Sequence, residues 1–170
     1  RDSARAVAAR GIHCVLIARR DAVLKSLADS LQREFNVETK VIVADLSTDD
    51  SAEKIIKETQ DIETGLFIAN AGVTESGKTF LDTSIPEIRE LITLNIHTPL
   101  ALAHHYAAEM VGRRKGGILL MGSGGALGGQ PYLATYSSCK AFTLNFIESL
   151  WAEINPLGVD VLNVVAPLMK

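Results

Sequence analysis

Residues 119–142 read LLMGSGGALGGQPYLATYSSCKAF, and their order decides the fold: an apolar run, a glycine-rich turn, then a helix just after a proline. The run 118–121 reads as a buried strand. Gly122, Gly124 and Gly125 leave the Ser123 hydroxyl open to a bound molecule. Pro131 keeps the following helix from starting earlier, so Tyr136 falls in or near its first turns, and Lys140, four residues on, shares its face. A tyrosine ordinarily titrates near pH ~10. The Lys140 charge and the dipole of the helix start both favour its phenolate. Such a trio can move a proton and hold a carbonyl oxygen.

The surrounding composition bounds what this device can belong to. With 170 residues, 47% of them hydrophobic, and a formal charge of −3, the chain can build a real core and shows no basic excess for nucleic acid. No apolar run approaches the roughly 18 to 20 residues of a membrane span, and the first residues lack the apolar core of a signal peptide. Two cysteines, Cys14 and Cys139, are too few and too dispersed for a disulfide framework, so the expected address is cytoplasmic. Cys139 reads as a small buried hydrophobe.

Strand-like runs at 12–17, 39–44, 66–69, 118–121 and 159–165 alternate with helical patterns. Continuous apolar strands separated by helices predict one α/β domain over 1–170: a doubly wound, Rossmann-like parallel sheet in a three-layer αβα arrangement. Residues 1–10 read as the end of a helix closed by Gly11, and Ser47 with Asp50 three residues on resembles a helix start. The pattern 84–112 predicts one helix bent in its middle by Pro99. A further helix over 134–154 carries Phe142, Phe146, Leu150 and Trp151, and Asn155-Pro156 ends it. His97, His104 and His105 suggest a metal, but adjacent histidines face different ways and no carboxylate or cysteine set converges on them. No metal site is expected.

Ser123 followed by Tyr136-x-x-x-Lys140 resembles the active-site segment of the short-chain dehydrogenase/reductase family, and further matches follow in family order over nearly the whole chain. The resemblance implies an NADP(H)-dependent oxidoreductase that interconverts a carbonyl and an alcohol by hydride transfer. Tyr136 would be the general acid/base and Ser123 would polarise the substrate oxygen. Lys140 would lower the Tyr136 pKa and hold the nicotinamide ribose, and Asn95 would anchor a water relay.

For the cofactor, Arg19 and Arg20 follow the first strand with no carboxylate before Asp21, which favours NADP(H) over NAD. On their own they also read as solvated charges at a helix start. Asp45-Leu46 matches the adenine-contacting pair, and a cap or surface acid is the other reading. Asn70-Ala71-Gly72 matches the family's Asn-Ala-Gly turn, where small side chains let the cofactor approach and the Asn braces strands; Ala69 stands where a second Asn is frequent. Pro167 falls beside the nicotinamide, with Leu168 replacing the usual glycine. The resemblance also implies a homodimer or homotetramer through the 84–112 and 134–154 helices. It places a glycine-rich strand-turn before Arg1, and a substrate segment and last strand after Lys170, so the first and last strands are expected outside these residues.

Leu127, Tyr132, Leu168 and Met169 tilt the small-molecule partner towards a hydrophobic carbonyl compound. Two rivals remain: a sugar-nucleotide epimerase or dehydratase of related fold, and a non-enzymatic NADP-binding sensor.

Overall fold

A computed structural model describes residues 1–75 and 77–166. The chain divides into two compact units, Arg1–Leu46 and the residues from Ser47 on.

In the first unit, helix α1 (Asp2–Ala8) precedes strand β1 (Cys14–Ala18), and helix α2 (Asp21–Phe35) crosses over to strand β2 (Thr39–Val43). The strands pair in parallel, from Cys14 opposite Thr39 to Ala18 opposite Val43. α2 buries Leu24, Ala28 and Leu31, one helical stripe, in a cluster with Ala8, Leu16 and Val37. The turn out of α1 passes through Gly11 at φ 74°, and Asn36, left-handed at φ 54°, closes α2.

The second unit holds strands β3 (Leu66–Ala69), β4 (Gly116–Ser123) and β5 (Val159–Ala166), all parallel, with β4 in the centre. Its helices are α3 (Ser51–Thr59), α4 (Ile85–Ile92), α5 (Thr98–Gly112) and α6 (Ala134–Ile154). α5 approaches β4 closely because Gly116 has no side chain: a Cβ there would meet Met110 Cγ at 2.3 Å. Two buried hydroxyl pairs join α3 to α5, Ser51 with Thr98 at 2.9 Å and Thr59 with Tyr106 at 2.8 Å. Ala69 pairs with Leu120 and Ser123 with Ala166, so the strands deliver their carboxyl ends to one edge of the sheet. In parallel α/β sheets that edge is where ligands are handled.

The described strands form two parallel ladders, β1-β2 and β3-β4-β5, within the expected Rossmann-like α/β class. Two expectations need correction. Ser47 lies in a turn and α3 starts at Ser51 behind Asp50, because the chain first turns through residues 46–50, with Ser51 N donating to Thr48 O. The 84–112 segment is two α-helices joined by a π-helical turn at Thr93–His97. Pro99 explains its place. Proline has no N–H for the carbonyl four residues back, and just before it Thr98 N reaches the wider-spaced Thr93 O.

Candidate active site

Each site residue is placed by an element whose local sequence accounts for it. Ser123 is the last residue of β4, extended at φ −153°, and Gly124–Leu127 follow as a 3₁₀ turn. Its Oγ accepts from Gly125 N at 3.2 Å, which leaves the hydroxyl proton free to donate elsewhere. Tyr136 lies in the first turn of α6, as Pro131 foretells. A Cβ at Gly125 would come within 3.5 Å of Ser123 Oγ and 3.8 Å of Tyr136 Cε1, so serine and tyrosine border the same glycine.

Lys140 stands one turn further along α6. Its Nζ lies 5.6 Å from the Tyr136 ring centroid and donates to Met121 O at 2.8 Å. The lysine is buried, 6% exposed. Burial pushes its pKa down, with Cys139 acting in the opposite sense. Cys139, 2% exposed, is the small buried group expected. Its thiol is pushed up to about 11, first by burial, then by the charge of Glu75, with Lys140 opposing.

The π-turn carries Asn95, also buried. Its Nδ2 donates to Leu91 O at 2.9 Å and Val73 O at 3.1 Å. Its Oδ1 is buried without a hydrogen-bond partner among the described residues. Gly72 brings the turn after β3 against both groups: a Cβ on it would lie 3.1 Å from Asn95 Oδ1 and 3.5 Å from Lys140 Nζ. A cavity of about 20 Å³ opens here, bordered by Ala71, Asn95, Met121 and Lys140.

The second unit therefore gathers Ser123, Tyr136, Lys140, Asn95, Ala71 and Gly72. Asn70 is exposed and follows directly after the last residue of β3. In the first unit, Arg19 Nη1 sits 3.9 Å from Asp45 Oδ2, so these two candidates pair with one another. Arg20 precedes α2 as an exposed residue and Leu46 is half-buried. Pro167, Leu168 and Met169 lie outside the described residues. His105 faces Glu109 at 3.4 Å.

One residue escapes sequence reading. Glu75 accepts hydrogen bonds from the backbone N–H groups of Thr135 and Tyr136 at the start of α6. The only signal is indirect: Leu133, where a helix normally has a Ser, Thr, Asp or Asn cap, cannot supply one.

Parallel α/β ladders that bring serine, tyrosine and lysine to one sheet edge define a Rossmann-like fold. The short chain dehydrogenase family model matches residues 1–170. The chain belongs to that family.

Among curated relatives, the very-long-chain 3-oxoacyl-CoA reductase of Podospora anserina is 36% identical over 167 residues, covering 96% of this chain and 49% of that protein. The enzyme of the same name from Scheffersomyces stipitis is 38% identical over 175 residues, covering 96% and 50%. The chain thus spans about half the length of the curated relatives it matches. Among solved structures, a short-chain dehydrogenase from Sphingobium yanoikuyae in complex with NADPH superposes with a TM-score of 0.93 at 30% identity, over 99% of this chain and 66% of that one. The bulky-bulky ketone specific alcohol dehydrogenase from Comamonas testosteroni gives 0.92 at 30% identity, over 97% and 66%. Among the described residues no helix is long and apolar enough to cross a membrane.

Proposed function

We propose that the full-length protein is an NADP(H)-dependent oxidoreductase that reduces the ketone of a 3-oxoacyl thioester to an alcohol. The observation that carries the reading is the meeting of Ser123 and Tyr136 at Gly125, with the buried Lys140 ammonium beside the tyrosine ring. The names of the relatives support the substrate class.

The residues present fit a nicotinamide dinucleotide. Gly72 keeps the turn after β3 free of any side chain where Asn95 and Lys140 converge, and Ala71 and Gly72 are exposed. Ala71, Gly72 and Lys140 are the candidates to hold the nicotinamide end. Arg19 and Arg20 are candidates for a 2′-phosphate, Asp45 and Leu46 for the adenine. The bound cofactor supplies the hydride.

The protein's own groups handle the oxygen and the proton. Ser123 Oγ, already accepting from Gly125 N, donates to the substrate oxygen and orients it. Tyr136 gives its phenolic proton to that oxygen as the alcohol forms. The Lys140 charge favours the phenolate left behind. Replacement protons reach Lys140 from the side of Asn95, whose unpartnered Oδ1 borders a cavity large enough for a water molecule.

The same reading makes the protein a homodimer or homotetramer through α5 and α6, where Phe142 and Trp151 are exposed. It places the protein in the cytoplasm, in keeping with the free thiols of Cys14 and Cys139.

Tyr136→Phe in the full-length protein tests the proposal. NADPH consumption with a 3-oxoacyl-CoA should fall at least a hundredfold, in line with loss of a general acid, while NADPH binding followed by fluorescence persists. Turnover at the wild-type rate would remove Tyr136 from the role of acid.

A further inference from the structure

The mechanism above leaves one charged contact on the tyrosine helix unused. α6 begins behind Leu133 without a side-chain cap from its own segment. Glu75 supplies one from another loop: Oε1 accepts from Thr135 N at 2.6 Å and from Tyr136 N at 3.0 Å, and Oε2 lies 3.3 Å from Tyr136 N. The loop carrying Glu75 is also tied on its other side, where Asn95 Nδ2 donates to Val73 O. Residues 72–75 therefore form a strap between the asparagine of the π-turn and the backbone of the tyrosine.

A neutral Ser, Thr or Asn would cap a helix adequately. A carboxylate adds a full negative charge in the turn where Lys140 and the helix dipole both pull the phenol towards its anion. Three residues beyond Tyr136, the charge of Glu75 is, after burial, the next cause that raises the Cys139 thiol.

The other charged groups packed around α6 are placed less favourably. β4 and the turn Gly124–Leu127 carry no charged side chain. Glu87, Arg89 and Glu90 of α4, His97 of the π-turn and Asp160 of β5 are all exposed.

We propose that Glu75 is a positioning residue for Tyr136, holding its backbone through paired N–H to carboxylate bonds and keeping its phenol protonated against the pull of Lys140. This rests on the assignment of Tyr136 as the acid. A reductase needs that proton in place before each turnover, so the carboxylate extends the pH range over which the acid is loaded.

The test is the titration of Tyr136 in the full-length protein by ultraviolet phenolate absorbance, isolated by subtracting the same measurement on Tyr136→Phe. In Glu75→Gln, whose amide oxygen still caps the helix, the midpoint should fall by roughly half a pH unit or more, the effect of one charge acting over several ångströms. Glu75→Asp, which keeps the charge, should leave it within a few tenths of a unit. Should Glu75→Gln not fold, Glu75→Ser gives the same neutral comparison. A wild-type midpoint in every folded neutral variant would overturn the proposal and leave Glu75 as a helix cap alone. The titration needs no turnover, whereas the role of Tyr136 as acid is judged by turnover of Tyr136→Phe, so the two readings fail separately.

Discussion

Burying the Lys140 ammonium beside Tyr136 works against its charged form, and the bond to Met121 O offsets only part of that. Its folded pKa lies below the ordinary lysine value of 10.5. Between the two values the unfolded chain holds more protons, so this residue makes stability rise with pH through that window, and its cost is fully present below it. Lys140→Met in the full-length protein should therefore lose NADPH turnover yet show a Tm equal to or above wild type at neutral pH. Calorimetry should find the difference shrinking as the pH approaches 10.5. A variant that melts well below wild type at neutral pH would show instead that the lysine holds the fold together. Ser123, Tyr136 and Lys140 were legible in the chain because a strand end and a four-residue helical spacing are local facts. Glu75 was not, because its partners lie 60 and 61 residues away and nothing nearby points to them.

Helix α4 shows how much an element owes to its first turn. Ser84 and Glu87 form a capping box, and Lys78 pairs with Glu87 at 2.6 Å. The Lys78 hydrogen bond first, then those of Ser84, hold the Glu87 carboxyl down at about 2. A depressed carboxyl contributes stability above its ordinary value and loses it as pH falls through the folded one. Amide protection factors in α4, taken relative to the intrinsic exchange rate at each pH, should fall as pH drops from 4.5 towards about 2, and Glu87→Gln should abolish that acid step. Ser84→Ala should cost about 1 kcal/mol at neutral pH. Unchanged protection in either variant would mean that α4 is held by its packing alone. The ends of α6 were readable from Pro131 and Asn155-Pro156. The π-turn was not, since Thr93, Leu94 and Ile96 suit a regular helix equally well and Pro99 marks only its far side.

Across the molecule, the strand positions followed from apolar runs, but which strands pair did not. Runs such as 66–69 and 118–121 are continuously apolar and offer no alternation that would assign a partner, so the pairing and its register became visible only in the structure. Assembly is likewise decided between elements. Trp151, 52% exposed, is the most exposed large apolar side chain of α6, the helix through which the proposed oligomer would form. Trp151→Glu in the full-length protein should shift sedimentation from the assembly to the single chain while far-ultraviolet dichroism stays unchanged. An assembly of wild-type size would place the interface away from this helix.

The π-turn between α4 and α5 has a further consequence for how this segment can change by descent. One surplus residue in a helix advances everything after it by about 100° around the axis, so α4 and α5 follow two different helical wheels. Losing one residue between Leu91 and Pro99 would restore a single wheel. It would also swing Asn95 off Val73 or turn Leu102, Tyr106 and Met110 out of the core. The length of this helix is thus fixed from both sides, and neutral drift there is confined to substitutions rather than insertions or deletions.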